Sequence, residues 1–164
     1  MLSGCTGGGD PSPPQATDPA TGLGPDWSFE DIEGTVHSRE TSLGNASVLF
    51  FMATWCSSCR QNAPRLADVH EEFGPLGLQT YSLSWDLQED RDDLRRWMSD
   101  YDQFWPHGLD PGNDVAQAFG VTQQSSIVVL DAEGIMVKGF GYPGASKAQL
   151  RAAVQEAMGD GSAA

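Results

Sequence analysis

Residues 47–60 read SVLFFMATWCSSCR, a nearly unbroken apolar run followed by a tryptophan and two cysteines with two serines between them. A run this short and this continuous, Ser47 to Ala53, is what a strand buried on both faces looks like. From Ser57 onward Ala63, Leu66, Ala67, His70 and Phe73 recur at helical spacing until Gly74-Pro75 ends the pattern. Leu78 to Leu83 then alternates as a strand does. Strand, helix and strand in succession, joined by a right-handed crossover, make the two strands parallel neighbours in one sheet. The cysteine pair therefore sits where a buried strand turns into a helix.

That position carries the chemistry. The free amides of a helix's first turn, together with its dipole, stabilise a thiolate at Cys56, so Cys56 is the expected nucleophile. Cys59 lies one turn further on and is more sheltered, placed to attack a mixed disulfide formed at Cys56. Two other readings of the pair are weighed. A structural disulfide closing so short a loop restrains the unfolded chain little. A structural zinc site needs four ligands, and beyond this pair only the scattered His37, His70 and His107 and the distant Cys5 remain. Redox exchange is the reading that uses the placement, and it calls for no cofactor or metal beyond a Cys56–Cys59 disulfide.

Further along, Leu94, Trp97, Met98 and Tyr101 form an apolar stripe on a helix whose other face holds Asp92, Asp93, Arg95 and Arg96. A short helix through Val115, Ala118 and Phe119 stops at Gly120. Ser126 to Leu130 and Ile135 to Phe140 flank a turn in which Gly134 takes the left-handed position, a β-hairpin. Ser146 and Gln149 form a capping box for a last helix that buries Leu150, Ala153, Val154 and Ala157. Upstream, residues 1–26 hold Pro11, Pro13, Pro14, Pro19 and Pro25 and no Lys or Arg, and they read as a disordered tether. The folded domain is expected over residues 27–160.

The 164 residues allow one domain, and no apolar run is long enough to span a membrane. Nine Lys and Arg against 23 Asp and Glu give a formal net charge of −14, which repels phosphate backbones and argues against nucleic-acid partners. Only Lys138 and Lys147 are lysines, and the carboxylates are spread along the chain, a pattern that resembles proteins of salt-loving (halophilic) microbes. With no apolar stripe left unassigned, a monomer is the expected state.

Residues 51–60 (FMATWCSSCR), then Pro64 inside the active-site helix, Trp105-Pro106, Asp110-Pro111, Val115 to Val121 and Ile127 to Gly134 resemble the thioredoxin-like family. The likeness is to its extracytoplasmic, membrane-tethered thiol-disulfide oxidoreductases, the TlpA/ResA-like branch, which the extra helix before the hairpin favours. It implies an α/β thioredoxin-like fold: a central mixed β-sheet flanked by helices, with an inserted helix before the C-terminal β-hairpin. It also implies exchange with protein thiols and disulfides, as a reductant recharged by a membrane electron carrier, with Trp55 shielding the cysteines and touching the partner. Leu2 to Thr6 resembles the lipobox of secreted lipoproteins, implying lipidation of Cys5 and anchoring to the outer face of the cytoplasmic membrane.

Two positions depart from the family pattern. Counting back from Asp131, Ser125 stands where the family has a cis-proline; a cis bond before a serine costs about 2.5–4 kcal/mol, so a trans bond and an altered substrate groove are expected. The places six residues before and after Cys56, where relatives bury a proton-accepting carboxylate, hold Phe50 and Asn62. Asp86, on the rim beyond the second parallel strand, is the candidate substitute for deprotonating Cys59. Two other thiol chemistries stay open: Cu(I) handling by exposed thiolates, and thiol peroxidation, although the proline-bearing segment expected before a peroxidatic cysteine is missing from Met52 to Trp55.

Overall fold

The computed structural model describes residues 20–159. Along the chain run β1 (Ser28–Glu30), β2 (Val36–Ser38), α1 (Arg39–Ser42), β3 (Ser47–Met52), α2 (Ser57–Phe73), β4 (Gln79–Ser84), α3 (Arg91–Asp100), β5 (His107–Leu109), α4 (Asp114–Ala118), β6 (Ser126–Leu130), β7 (Met136–Phe140) and α5 (Lys147–Met158). The apolar run becomes β3, buried at every residue, and it occupies the middle of a five-stranded sheet ordered β5-β4-β3-β6-β7. β3 and β4 are parallel, as are β4 and β5, whereas β6 runs antiparallel to both β3 and β7. The sheet is thus mixed, and α3 is the inserted helix before the β6–β7 hairpin.

β3 is apolar throughout because both of its faces are covered. Val48, Phe50 and Met52 belong to a core with Ala63, Leu66 and Val69 of α2, Leu94 and Trp97 of α3, and Leu150 and Val154 of α5. Leu49 and Phe51 join a second core with Trp27, Phe29, Tyr81, Val115 and Phe119. Each fully buried large side chain contributes about 1.5–3 kcal/mol of transfer free energy, so alternation along this one strand ties helices to both sides of the sheet.

Two parts of the fold differ from the sequence reading. The chain is anchored from Gly24, ahead of the Trp27 boundary: Gly24 N donates to Glu133 O at 3.1 Å and Arg39 Nη1 donates to Gly24 O at 2.9 Å. A Cβ at Gly24 would lie 1.8 Å from Gly134 O, so only glycine admits that close approach. Residues 27–46 also fold into the β1–β2 hairpin and α1. Asp31 organises the hairpin turn, with Oδ1 accepting from Glu33 N and Thr35 N at 2.9 Å each and Oδ2 paired with His37 Nε2 at 2.7 Å. The hairpin covers the outer edge of β5 through Ile32 N donating to His107 O at 2.8 Å. No helix among the described residues is long and apolar enough to cross a membrane. Cys5 lies outside the described residues.

Candidate active site

β3 ends at Met52, and the chain turns through residues 53–56 into α2, with Cys56 N donating to Ala53 O at 3.1 Å. Cys56 is the N-cap of α2, and its sulfur does the capping: Cys59 N donates to Cys56 Sγ at 3.2 Å. A polarisable sulfur thus occupies the position where a side-chain oxygen ordinarily receives the first-turn amides. Both thiols are free. Cys59 is fully buried and Cys56 is 4% exposed, so a partner reaches the pair only at Cys56. Burial, and then the hydrogen bond with Cys56, push the Cys59 thiol up to about 12, while the backbone of Ala53 and the Ser125 hydroxyl pull the other way.

The segment between β4 and α3 holds the residues just ahead of the cysteines. Glu89 Oε1 accepts from both Thr54 N and Thr54 Oγ1, and Glu89 Oε2 accepts from Ser84 Oγ at the end of β4. Asp86 Oδ2 accepts from the indole Nε1 of Trp55, which is 56% exposed. The backbone amide of Gln88, and then Trp55, hold the Asp86 carboxyl below the usual carboxylate range. Asp86 therefore lies on the expected rim, but as a weak base spent on positioning Trp55. Glu89, which nothing in the sequence singles out, ties the turn ahead of Cys56 to the end of β4.

Behind Cys59 the two departures from the family pattern meet. The Asn62 side-chain amide donates to Ser125 Oγ at 2.9 Å, to Pro143 O at 2.6 Å and to Ser58 O at 3.1 Å. Ser125 Oγ in turn donates to Pro143 O at 3.1 Å, and Ser125 N donates to Phe51 O at 2.7 Å. Both residues are buried. Ser125 has φ 67°, a left-handed backbone that costs a serine about 1 kcal/mol and that the proline ring cannot adopt. Proline is therefore excluded here by the backbone itself as well as by the amide bond to Phe51. The one cis peptide bond among the described residues is Tyr142–Pro143, so Ser125 follows a trans bond.

The remaining candidates are structural. His70 Nδ1 meets Thr80 Oγ1 at 3.0 Å and its ring packs on Trp105. His107 is fully buried at the start of β5, and His37 belongs to the Asp31 turn. Among the described residues no group of three or more His, Cys, Asp and Glu converges to hold a metal ion.

A cysteine pair at the head of a helix entered from the central strand of a mixed sheet, with the extra helix ahead of the closing hairpin, defines a thioredoxin-like fold. Within that class, the chain belongs to the AhpC/TSA family, whose model matches residues 22–139. It is similar to the thiol-disulfide oxidoreductase ResA of Bacillus subtilis (strain 168), 25% identical over 114 residues, covering 70% of this chain and 63% of that protein. The ResA of Bacillus thuringiensis subsp. konkukian is 22% identical over 114 residues, covering 70% and 65%. The chain thus spans less than two thirds of these relatives' own length. The crystal structure of a thiol:disulfide interchange protein from Chlorobium tepidum TLS has the same fold, with a TM-score of 0.71 at 24% identity over 84% of this chain and 96% of that one.

Proposed function

We propose that the protein is a thiol-disulfide oxidoreductase that reduces protein disulfides outside the cytoplasm through Cys56 and Cys59. The observation that carries this reading is the cap of α2, where Cys56 Sγ receives the amide of Cys59 while Cys59 itself is sealed from solvent. A thiolate at Cys56 is met by a helix N-terminus, and only that sulfur is open to attack or be attacked. Exposed apolar side chains support a polypeptide partner: Trp55 precedes Cys56, Leu87 follows the Asp86 that holds Trp55, and Tyr142 adjoins the Pro143 carbonyl behind Cys59.

In this mechanism Cys56 Sγ attacks one sulfur of a substrate disulfide, and the other leaves with the bonding electron pair and takes up a proton. Cys59 then loses its proton and attacks Cys56 Sγ, forming the Cys56–Cys59 disulfide and releasing the second substrate thiol. Two electrons pass from the pair to the substrate, and a membrane electron carrier restores the dithiol. The reducing direction in this reading is supported by the resemblance of residues 51–60 to membrane-tethered oxidoreductases recharged by an electron carrier. The lipobox-like residues 2–6 supply the anchor in this reading, with lipidated Cys5 holding a monomer at the outer face of the cytoplasmic membrane.

Insulin-disulfide reduction tests it: Cys56→Ser is expected to abolish turnover, and Cys59→Ser to accumulate mixed disulfides at Cys56. Turnover by Cys56→Ser at the wild-type rate overturns the assignment. Copper titration of the reduced protein and turnover of hydrogen peroxide separate this chemistry from the two other thiol reactions.

A further inference from the structure

The buried network behind Cys59 lies where a proton acceptor would be needed, yet it contains no carboxylate. Asn62 and Ser125 are joined at 2.9 Å behind Cys59, and the Ser125 hydroxyl is near enough to the Cys59 thiol to draw its pKa down against burial. The Pro143 carbonyl accepts from both Ser125 and Asn62, the closer donor being Asn62 at 2.6 Å. The Ser125 hydroxyl can therefore leave Pro143 without orphaning a buried carbonyl. Asn62 is itself fixed from behind: Arg65 Nη1 donates to Asn62 Oδ1 at 3.2 Å and to Ala145 O at 3.0 Å, and a Cβ at Gly144 would fall 2.1 Å from Asn62 Nδ2.

We propose that Ser125 is the hydrogen-bond switch of the resolving step, its hydroxyl turning from Pro143 O to the Cys59 sulfur as Cys59 ionises, with Asn62 the positioning residue that holds it. The pair replaces a buried base by a buried donor. It does not take the proton, which passes to the departing substrate thiolate; it stabilises the sulfur that remains. This rests on the oxidoreductase reading of Cys56 and Cys59.

The charged groups around the pair are engaged elsewhere. On α2, Arg60 donates to Thr54 O and Arg65 to Asn62 and Ala145. Glu89 and Asp86, from the segment after β4, are bound to Thr54 and Trp55. Lys147 and Arg151 of α5 pair with Asp68 and Glu72, Lys138 of β7 lies over Phe140, and β3 and β6 carry no ionisable side chain. Besides Cys56, the side chain that acts on the ionisation of Cys59 is Ser125.

The test uses the full chain with Cys5→Ser and an aromatic disulfide reagent whose released thiol is coloured. Attack by Cys56 releases one coloured thiol, and resolution by Cys59 releases a second, so the two steps are read separately. Ser125→Gly removes the hydroxyl and suits the left-handed backbone, so the variant keeps its fold. Its first phase is expected to match the parent, and its second to slow about tenfold, the weight of one hydrogen bond to a charged group. In the Cys56→Ser background the ultraviolet thiolate absorbance of Cys59 is expected to appear about one pH unit higher without the Ser125 hydroxyl, whereas a merely misplaced sulfur would leave that titration where it is. Asn62→Ala is expected to slow the second phase in the same way, and Ser125→Gly/Asn62→Ala to add little further. An unchanged second phase in Ser125→Gly, or an unmoved Cys59 titration, overturns the switch and leaves the oxidoreductase reading intact. Failure of the first phase in the parent overturns both.

Discussion

His107 is set against its own hydrogen bonds. Nδ1 lies 2.8 Å from Trp105 O and Nε2 lies 3.0 Å from Gln103 Oε1, two acceptors that would welcome a doubly protonated ring. Burial outweighs them and depresses the imidazole to about 4. The unfolded chain holds a histidine near its ordinary 6.5, so below that pH the unfolded state binds the proton that the native state refuses. Stability from this group is complete above about 6.5, falls as pH drops towards about 4 and then levels off, a loss on the order of 3 kcal/mol. Urea unfolding across this range measures the loss, and the His107 ring resonance is expected to titrate only near the bottom of it. A ring titrating at its ordinary value removes the effect. The sequence could show that this histidine exists but not that Gln103 and Trp105 would engage it. Cys56 and Cys59 were legible because their chemistry is local, fixed by one strand-to-helix turn. Asn62 and Ser125 were each legible as a departure; their partnership was not, because it joins α2 to the entry of β6 across 63 residues.

Elements with strong periodicity or a cap could be read with little error. α5 opens on the Ser146–Gln149 capping box and buries Leu150, Ala153, Val154 and Ala157, and Gly134 turns the β6–β7 hairpin with φ 75°. β1, β2 and β5 have three residues each, too few to display alternation; β1 and β2 pair with each other, and the Asp31–Gly108 bridge that ties their hairpin to β5 spans most of the intervening chain. The connection between β4 and α3 was equally silent, since nothing in its sequence indicates that Glu89 will reach back to Thr54. Glu89 accepts from three groups at the point where α2 begins, so Glu89→Ala leaves the Thr54 amide and the Ser84 hydroxyl without their acceptor. The expected cost is about 1–3 kcal/mol in urea unfolding, with slower attack by Cys56 as Thr54 loses its anchor. The segment between β7 and α5 makes a parallel prediction. Gly144 has φ 103° and backs directly onto Asn62, so Gly144→Ala is expected to destabilise the fold by about 1–3 kcal/mol and to slow release of the second coloured thiol. Wild-type stability in either variant would show that these connections do not brace the site.

On the scale of the whole molecule, charge sets the terms. Arg39, Arg91, Arg95, Arg96, Lys147 and Arg151 are each paired with a carboxylate, while Arg60 and Arg65 are turned to backbone or amide oxygens and Lys138 lies over an aromatic ring. With nine cations against 23 carboxylates, most of the negative surface has no counter-charge, and it repels itself in the compact state. Raising the ionic strength from about 0.1 M to 1 M shortens the Debye length from about 10 Å to 3 Å, so the native state gains more than the expanded chain and unfolding shifts to higher temperature. The same repulsion opposes the His107 effect. As pH falls from about 6.5 to 4, protonated carboxylates relieve the surface while the buried imidazole resists its proton, so at low salt the two partly cancel. High salt removes the repulsion in advance and leaves the buried histidine, which salt hardly screens, to act alone. Loss of stability over that pH range is therefore expected to be steeper in about 1 M sodium chloride than in 0.05 M, as read by urea unfolding at each pH. Equal slopes at the two salt concentrations would mean that the surface charge, large as it is, lies too far apart to bear on folding.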